Sequence, residues 1–426
     1  MRVLVIGSGA REHALAARLR ADPQVSDLIA APGNPGISAV ARTVPAGHTD
    51  FDALLALAAR ERVDLTIVGP EAPLSLGLAD RFIAAGRLIV GPSAAAAQLE
   101  SSKAFAKAFM ARHHVPTARF RTCSALDDAV AVVRSDEFGL PLVLKADGLA
   151  AGKGVVIAED RESAEAAVVA AMRDHRFGPA GDRLVIEECL TGPEVSFFVL
   201  TDGTRAVTMG TAQDHKRIFD GDRGPNTGGM GAFAPSPFVD AVLQARIMRE
   251  IVDPVVAGMA AEGNQYRGFL YVGLMLTPAG PKVIEFNARL GDPETQVILP
   301  LIDEPLAPLL TAVASGDLRQ RSVRLGADRA VCVVLAARGY PGSSESGRPI
   351  IGVDEAQEVA GVSVFHAGTA VKDGQLVTAG GRVLTVAARG AAYADAIAGA
   401  YAGVQRISFD GMQYRRDIGR KALVQT

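Results

Sequence analysis

The sequence is poor in cysteine: Cys123, Cys189 and Cys332 are the only three in 426 residues, far apart and without a CxxC pair. That excludes a disulfide framework and a structural zinc site, and a reducing compartment fits best. An excess of either charge is also missing, since 44 Lys and Arg nearly cancel 47 Asp and Glu. The chain as a whole therefore attracts neither nucleic acid nor an anionic membrane, and any phosphate must be gripped locally. No apolar run approaches the roughly 18 residues of a membrane span. The run at residues 3–6 is too short for the core of a secretory signal, so the cytoplasm is the expected location. Repeats of fixed period and low-complexity tracts are absent apart from the alanines at 94–97, read as helix.

What remains is an ordinary globular chain with 49% apolar residues, enough for several cores, and its length suggests about three compact units. Val3-Leu4-Val5-Ile6 stops at Gly7 and residues 13–20 read as a helix, so the chain opens β-loop-α. Residues 28–30 stop at Pro32-Gly33, residues 65–68 stop at Gly69-Pro70-Glu71, and 51–60 is helical, which predicts a parallel sheet. From residue 101 to about 315 apolar strands alternate with long glycine-rich loops, and 241–262 reads as a helix. The last hundred residues alternate short strands with turns, as a small α/β module does. The expected boundaries are 1–100, 101–318 with a flap subdomain at about 118–193, and 325–426.

Gly7-Ser8-Gly9-Ala10-Arg11-Glu12 joins a strand to a helix, where amides and the macrodipole can hold a phosphate. A dinucleotide is disfavoured: Glu12 replaces the third glycine, and the second strand ends in Pro32-Gly33 rather than a ribose-binding acid. A small phosphorylated ligand, with Arg11 as partner, is the favoured reading, and a plain tight turn is the alternative.

Lys145 ends a buried-type strand, and Asp147-Gly148-Leu149-Ala150-Ala151-Gly152-Lys153-Gly154 runs straight into another. This lacks the P-loop's Ser or Thr and its following helix. A glycine flap closing over nucleotide phosphates, with Lys145 and Lys153 neutralising charge, is the expectation; a solvated hairpin is the rival. Residues 184–190 run into Thr191-Gly192-Pro193, a hinge whose backbone can read an adenine edge, with Glu194 placed for ribose hydroxyls; a plain edge strand with solvated glutamates is the equal alternative. In 282–289, a period of two puts Glu285, Asn287 and Arg289 on one face and Ile284 and Phe286 toward the core. That face suits magnesium and a moving phosphoryl group, and a Glu285–Arg289 salt bridge is the alternative. Asp214-His215-Lys216-Arg217, Pro225-Asn226-Thr227-Gly228-Gly229-Met230-Gly231 and Gly291-Asp292-Pro293-Glu294-Thr295 read as substrate loops, with no proton transfer assigned to His215.

In order, Gly7 to Ala14, Ala31-Pro32-Gly33-Asn34-Pro35-Gly36, Val68 to Leu74, Lys145 to Gly154, Gln213 to Arg217, Asn226 to Gly231 and Val283 to Arg289 resemble the glycinamide ribonucleotide synthetase family. The likeness continues through Phe365-His366-Ala367-Gly368-Thr369 and Arg416-Asp417-Ile418-Gly419, so it spans essentially the whole chain. It implies an N-terminal parallel-sheet domain, a central ATP-grasp domain and a C-terminal module. The activity implied is ligation of glycine to 5-phosphoribosylamine through glycyl phosphate, in purine biosynthesis.

By the same resemblance, ATP would meet Lys103, Lys145, Gly148, Gly152, Lys153, Gly154, Glu187, Glu188, Leu190 and Glu194, and Mg2+ or Mn2+ would meet Glu285 and Asn287. The other substrates would meet Gly9, Arg11, Glu12, Asn34, Gly36, Glu71, Asp214, Lys216, Asn226, Gly228, Gly229, Met230, Arg289 and Gly291. Arg289, Asp292 and Asp214 are the catalytic candidates. Residues 269–275 lack the acidic metal ligand that many ATP-grasp proteins carry on the preceding strand. A monomer in transient contact with the preceding pathway enzyme is expected. The rivals are a ligase of the same superfamily using bicarbonate or formate, a nicotinamide-dependent dehydrogenase, and an ATP sensor without chemistry.

Overall fold

The computed structural model describes residues 1–148, 154–320 and 322–423. Its described residues form three main sheets. The first is parallel, in the spatial order Arg42–Thr43, Asp27–Pro32, Arg2–Gly7, Leu65–Val68, Ile89–Val90. The order reverses direction at Arg2–Gly7, and the loops leaving this strand and Leu65–Val68 open the crevice in which such sheets bind ligands. The expected helices form as Ala10–Arg20 and Phe51–Arg60, the second capped by Asp50 accepting from the Ala53 amide. Residues 94–97 are a turn leading into the helix Gln98–Ser101, not a helix themselves.

The second sheet is antiparallel, in the order Phe120–Cys123, Leu184–Glu188, Leu142–Ala146, Val155–Ala158. Helices Leu126–Arg134 and Arg161–Met172 cover it and close a core of its own, with Val133, Leu142, Leu144, Val168 and Ile186. This unit, called the flap below, pairs Leu142–Ala146 with Val155–Ala158, the two strands expected on either side of the glycine loop, of which residues 149–153 lie outside the described residues.

The third sheet has eight strands: Gly280–Asn287, Arg267–Thr277, Glu194–Asp202, Ala206–Asp214, Gly231–Ala234, Arg329–Ala336, Arg382–Gly390 and Val362–His366. The C-terminal strands are hydrogen-bonded to the central ones through Gly231–Ala234 and Arg329–Ala336. The C-terminal module is thus an extension of one sheet, not a separate layer. Nor is the first sheet insulated. Val3, Val5 and Leu28 on one face share a core with Phe198, Leu200 and Leu306, and Leu4, Ile6 and Ile29 on the other with Phe109, Ile251 and Val272. The helical stretch 241–262 forms but widens into a π turn at Met248–Val252. Pro254, which has no N–H and would crowd the carbonyl four residues back, accounts for the widening.

Candidate active site

A cleft of about 1040 Å³ runs between the flap and the body. Its flap side begins at the hinge, where the chain passes from Leu184–Glu188 in the second sheet to Glu194–Asp202 in the third, so Glu188, Leu190 and Glu194 line the cleft. Lys145 donates to the Ile284 carbonyl at 3.1 Å, tying flap to body. It also pairs with Glu187, which pairs in turn with Lys107, all three buried. Two ammonium groups about one carboxylate leave this wall positive. Burial pulls Lys107 down to about 8 even beside Glu187. Lys103 donates to the Gly148 carbonyl at 2.8 Å. Asp147 accepts from Ser102 Oγ at 3.0 Å and the Ala104 amide at 3.1 Å, which fastens the start of the glycine loop to helix Lys103–Arg112. Gly154 lines the cleft, while Gly152 and Lys153 lie outside the described residues. Glu188 turns its carboxylate to Arg119 at 2.8 Å and Lys282 at 3.1 Å, and its amide donates to the Arg119 carbonyl at 3.1 Å.

At the junction of flap and body stands the strand Gly280–Asn287. Gly273 faces Glu285 but its neighbour Leu274 faces Val283, so Ile284 is an extra residue in a β-bulge. The strict period of two fails there: Val283 and Phe286 are buried, while Ile284, expected in the core, lines the cleft beside Glu285. The side chains of Glu285 and Asn287 make no hydrogen bond or ion pair among the described residues. Burial alone would raise the Glu285 carboxyl, but Lys216, Lys145, Lys103 and Arg289 together outweigh it and hold it below its ordinary value. The Glu285–Arg289 bridge does not form. Arg289 instead pairs with Glu71 at 3.2 Å and Glu100 at 3.3 Å. No group of three His, Cys, Asp or Glu suited to a metal occurs among the described residues. Two unpartnered oxygen donors still fit a magnesium-like ion that completes its shell with phosphate and water.

The body side is assembled from distant segments. Asp214 ends the strand Ala206–Asp214, and its carboxyl is raised by burial and by Glu294, Glu194 and Glu285, against the pull of Lys216. Lys216 pairs with Glu194. Arg11 donates to the Leu290 carbonyl at 3.1 Å and lies 3.9 Å from Glu71. Arg382 joins two loops: it donates to the carbonyls of Gly228 and Asp292, and meets the Asp292 carboxylate at 3.0 Å. Burial would raise the Asp292 carboxyl, but Arg382 and Arg11 hold it down.

Arg11, Glu71, Asp214, Lys216, Asn226, Gly228, Glu285, Asn287, Arg289 and Asp292 all line the cleft. Gly9, Glu12, Asn34, Gly36, Gly229, Met230 and Gly291 are not among the residues that line it. The Gly9 amide, expected to face a phosphate, donates to the Glu12 carboxylate at 2.6 Å. An internal anion occupies the helix N-terminus, because Glu12 in the first turn folds back under Gly7 and Gly69. Asn34 caps the short helix Pro35–Ser38 and donates to the Ser8 carbonyl at 2.8 Å and the His366 carbonyl at 2.7 Å. Met230 is fully buried. Gly229 has φ +109°, and a Cβ there would stand 2.4 Å from Pro293. Sequence reasoning missed Glu100, Lys107, Arg382 and Lys421. Glu100 and Lys107 lie three residues before and four after Lys103, so helical spacing from that lysine could have found them, whereas only the tertiary fold brings Arg382 and Lys421 to the cleft.

Three descriptions of the phosphoribosylglycinamide synthetase family match in order: the N domain over residues 1–100, the ATP-grasp (A) domain over 101–295 and the C domain over 330–421. The chain is 51% identical to a phosphoribosylamine–glycine ligase of Xylella fastidiosa over 428 residues, covering 100% of this chain and 99% of that one. It is 50% identical to the Vibrio cholerae protein of the same name, covering 99% of each. The crystal structure of the Thermotoga maritima phosphoribosylamine–glycine ligase superposes with a TM-score of 0.86 at 35% identity, covering 98% of this chain and 100% of that one.

Proposed function

The chain belongs to the phosphoribosylglycinamide synthetase family, and from that premise we propose how its cleft joins glycine to 5-phosphoribosylamine with ATP, giving glycinamide ribonucleotide, ADP and phosphate in purine biosynthesis. The observation that carries the reading is Glu285: an unpaired carboxylate at the seam of the cleft, surrounded by Lys103, Lys145, Lys216 and Arg289. Four cations converge on an acid that no side chain among the described residues claims, an arrangement that suits a triphosphate with its metal ion.

The adenine lies along the hinge backbone at 188–190, the ribose hydroxyls reach Glu194, and Lys103 and Lys145 face the phosphates. Glu285 and Asn287 would hold a divalent magnesium or manganese ion, which when bound neutralises charge on those phosphates. The glycine carboxylate oxygen attacks the γ-phosphorus, the bond to the β-phosphate oxygen breaks, and ADP leaves from glycyl phosphate. Arg289, already desolvated between two glutamates, is positioned to steady the transferred group.

The amine nitrogen of phosphoribosylamine then attacks the glycyl carbonyl carbon, and inorganic phosphate leaves with the electrons of the cleaved carbon–oxygen bond. The proton lost by that nitrogen goes to the ionised form of Asp214, which its raised carboxyl makes a stronger base than an ordinary aspartate. The loops at 226–231 and 291–295, joined by Arg382, hold glycine and the amine together so that attack is effectively intramolecular. Closing the flap keeps water from the acyl phosphate. The reading places a monomer in the cytoplasm and leaves room for direct transfer of the amine from the enzyme that makes it.

Glycine labelled with 18O in its carboxylate tests the acyl phosphate. One labelled oxygen should appear in the released inorganic phosphate for each turnover. Unlabelled phosphate would mean that the carboxylate is never phosphorylated.

A further inference from the structure

The Arg416-Asp417-Ile418-Gly419 motif has no part in the chemistry above, yet Arg415 just before it is the largest fully buried side chain among the described residues. Its guanidinium meets Asp417 with Nε at 2.8 Å and Nη2 at 2.7 Å, and Nη1 reaches Asp222 at 2.8 Å and the Arg217 carbonyl at 3.0 Å. Asp222 and Arg217 belong to the hairpin Arg217–Phe219 and Arg223–Asn226, a two-stranded sheet of its own over the cleft. Two more bonds join the same pieces. The Arg416 amide donates to Asp220 at 2.7 Å, and the Gly221 amide donates to Asp417 at 2.9 Å. Lys421 adds a pair with Asp222 at 2.6 Å, and both line the cleft.

The hairpin cannot hold itself. Within its two strands only Ile218 is buried, and an isolated two-stranded hairpin is marginal in water. The C-terminal segment, by contrast, is anchored. Tyr401 on the helix Tyr393–Val404 donates to the Arg415 carbonyl at 2.9 Å and accepts from the Ile418 amide at 3.0 Å. Ile418 is fully buried and packs against Gly231.

We propose that Arg415 is a positioning residue that, with Asp417, clamps the 217–226 hairpin over the cleft and so sets the loop from Asn226 to Gly231 for glycine and phosphoribosylamine, not for ATP. The assignment of that loop rests on the ligase reading; the clamp itself does not. Arg415 touches no reacting atom, and its influence passes through Asp222 and the hairpin backbone. A buried guanidinium with this many charge-assisted bonds cannot be replaced by an ammonium of the same charge, which lacks the planar fork.

The test uses the full-length enzyme with Arg415→Lys and, because a buried change can unsettle folding, Asp222→Asn as a second variant. Asp222 has φ +53°, a conformation asparagine also tolerates, so the second variant keeps the backbone while removing the charge and one of the two oxygens that accept from Arg415 and Lys421. In both variants amide exchange should accelerate in residues 217–226 and not in the flap strands. The KM for glycine and for phosphoribosylamine should rise about tenfold, with the ATP KM changed less than about twofold. Unchanged exchange in the hairpin would overturn the clamp. Faster exchange with all three KM values rising together, or none, would overturn its role in positioning. A wild-type chain that did not ligate at all would refute the ligase reading and the substrate role with it, while the exchange result would still decide the clamp.

Discussion

The flap and the body differ in how they are closed. Among the described residues, the flap sheet and its two helices form a core made only of residues between 123 and 186. The body is continuous: its eight-stranded sheet runs from the central strands into the C-terminal ones, and both faces of the parallel sheet are buried by later parts of the chain. A part with its own core can turn about the hinge at 189–193 without losing packing, whereas the body cannot be divided at the same low cost. On the proposed function, the wall assigned to the nucleotide is the one able to move and the wall assigned to the acceptor the one that stays.

Predictions that bear on this contrast begin at the seam. Glu285→Ala should lower turnover at least about a thousandfold while lowering the melting temperature only slightly, because Glu285 has no hydrogen-bonded or ion-paired side chain among the described residues and loses only the attraction of the cations around it. Near-normal turnover would remove it from the site. On the body side, Arg382→Met frees the 228 and 292 loops from each other, and kcat/KM for phosphoribosylamine should fall about a hundredfold with ATP binding by calorimetry little changed. On the flap side the pattern should invert: Lys103→Met should weaken ATP binding about tenfold and spare the amine. If both variants affected both ligands equally, the two walls would not be separable.

Acid should separate the regions more gently. Burial holds His13 neutral down to about 3, helped by His366, and holds His366 and His215 neutral down to about 4. His13 accepts from the His366 amide at 2.9 Å across the contact between the first sheet and the C-terminal strands. These folded-state values lie below the ordinary 6.5, so the stability they reflect is present above pH 6.5 and is lost as pH falls toward 4. Each such histidine contributes a slope of about 1.4 kcal/mol per pH unit in that window. The flap has only His175, which is exposed. Protection factors in strands Arg2–Gly7 and Val362–His366 should drop between pH 6.5 and 5, while those in Leu142–Ala146 hold. Equal loss in both would contradict private closure of the flap.

Legibility in the sequence followed the same division. The strands at 2–7 and 65–68, the helix at 51–60 and the flap hairpin were readable because periodicity and glycine punctuation are local. Lys145, Gly148, Glu187 and Glu285 stand beside such signals, and the structure brings them to one cleft. The bulge at Ile284 was not readable, since it depends on the partner strand's register. Nor was the carboxylate of Glu12 at the Gly9 amide, where a sequence pattern for an external phosphate equally suits an internal acid. Glu100 and Arg382 act across separations of 188 and 154 residues, on Ala288 and Gly228, and no window along the chain joins them. The continuity of the body sheet was hidden for the same reason: strand pairing between distant segments leaves no local mark.

The most direct measurement is ADP formation by the purified chain with ATP and magnesium, supplied with glycine and freshly generated phosphoribosylamine, and then with each omitted or with bicarbonate or formate in place of glycine. Sustained ADP release that requires both glycine and the amine is the predicted result. Release that follows bicarbonate or formate, or none under any of these conditions, would contradict the assignment.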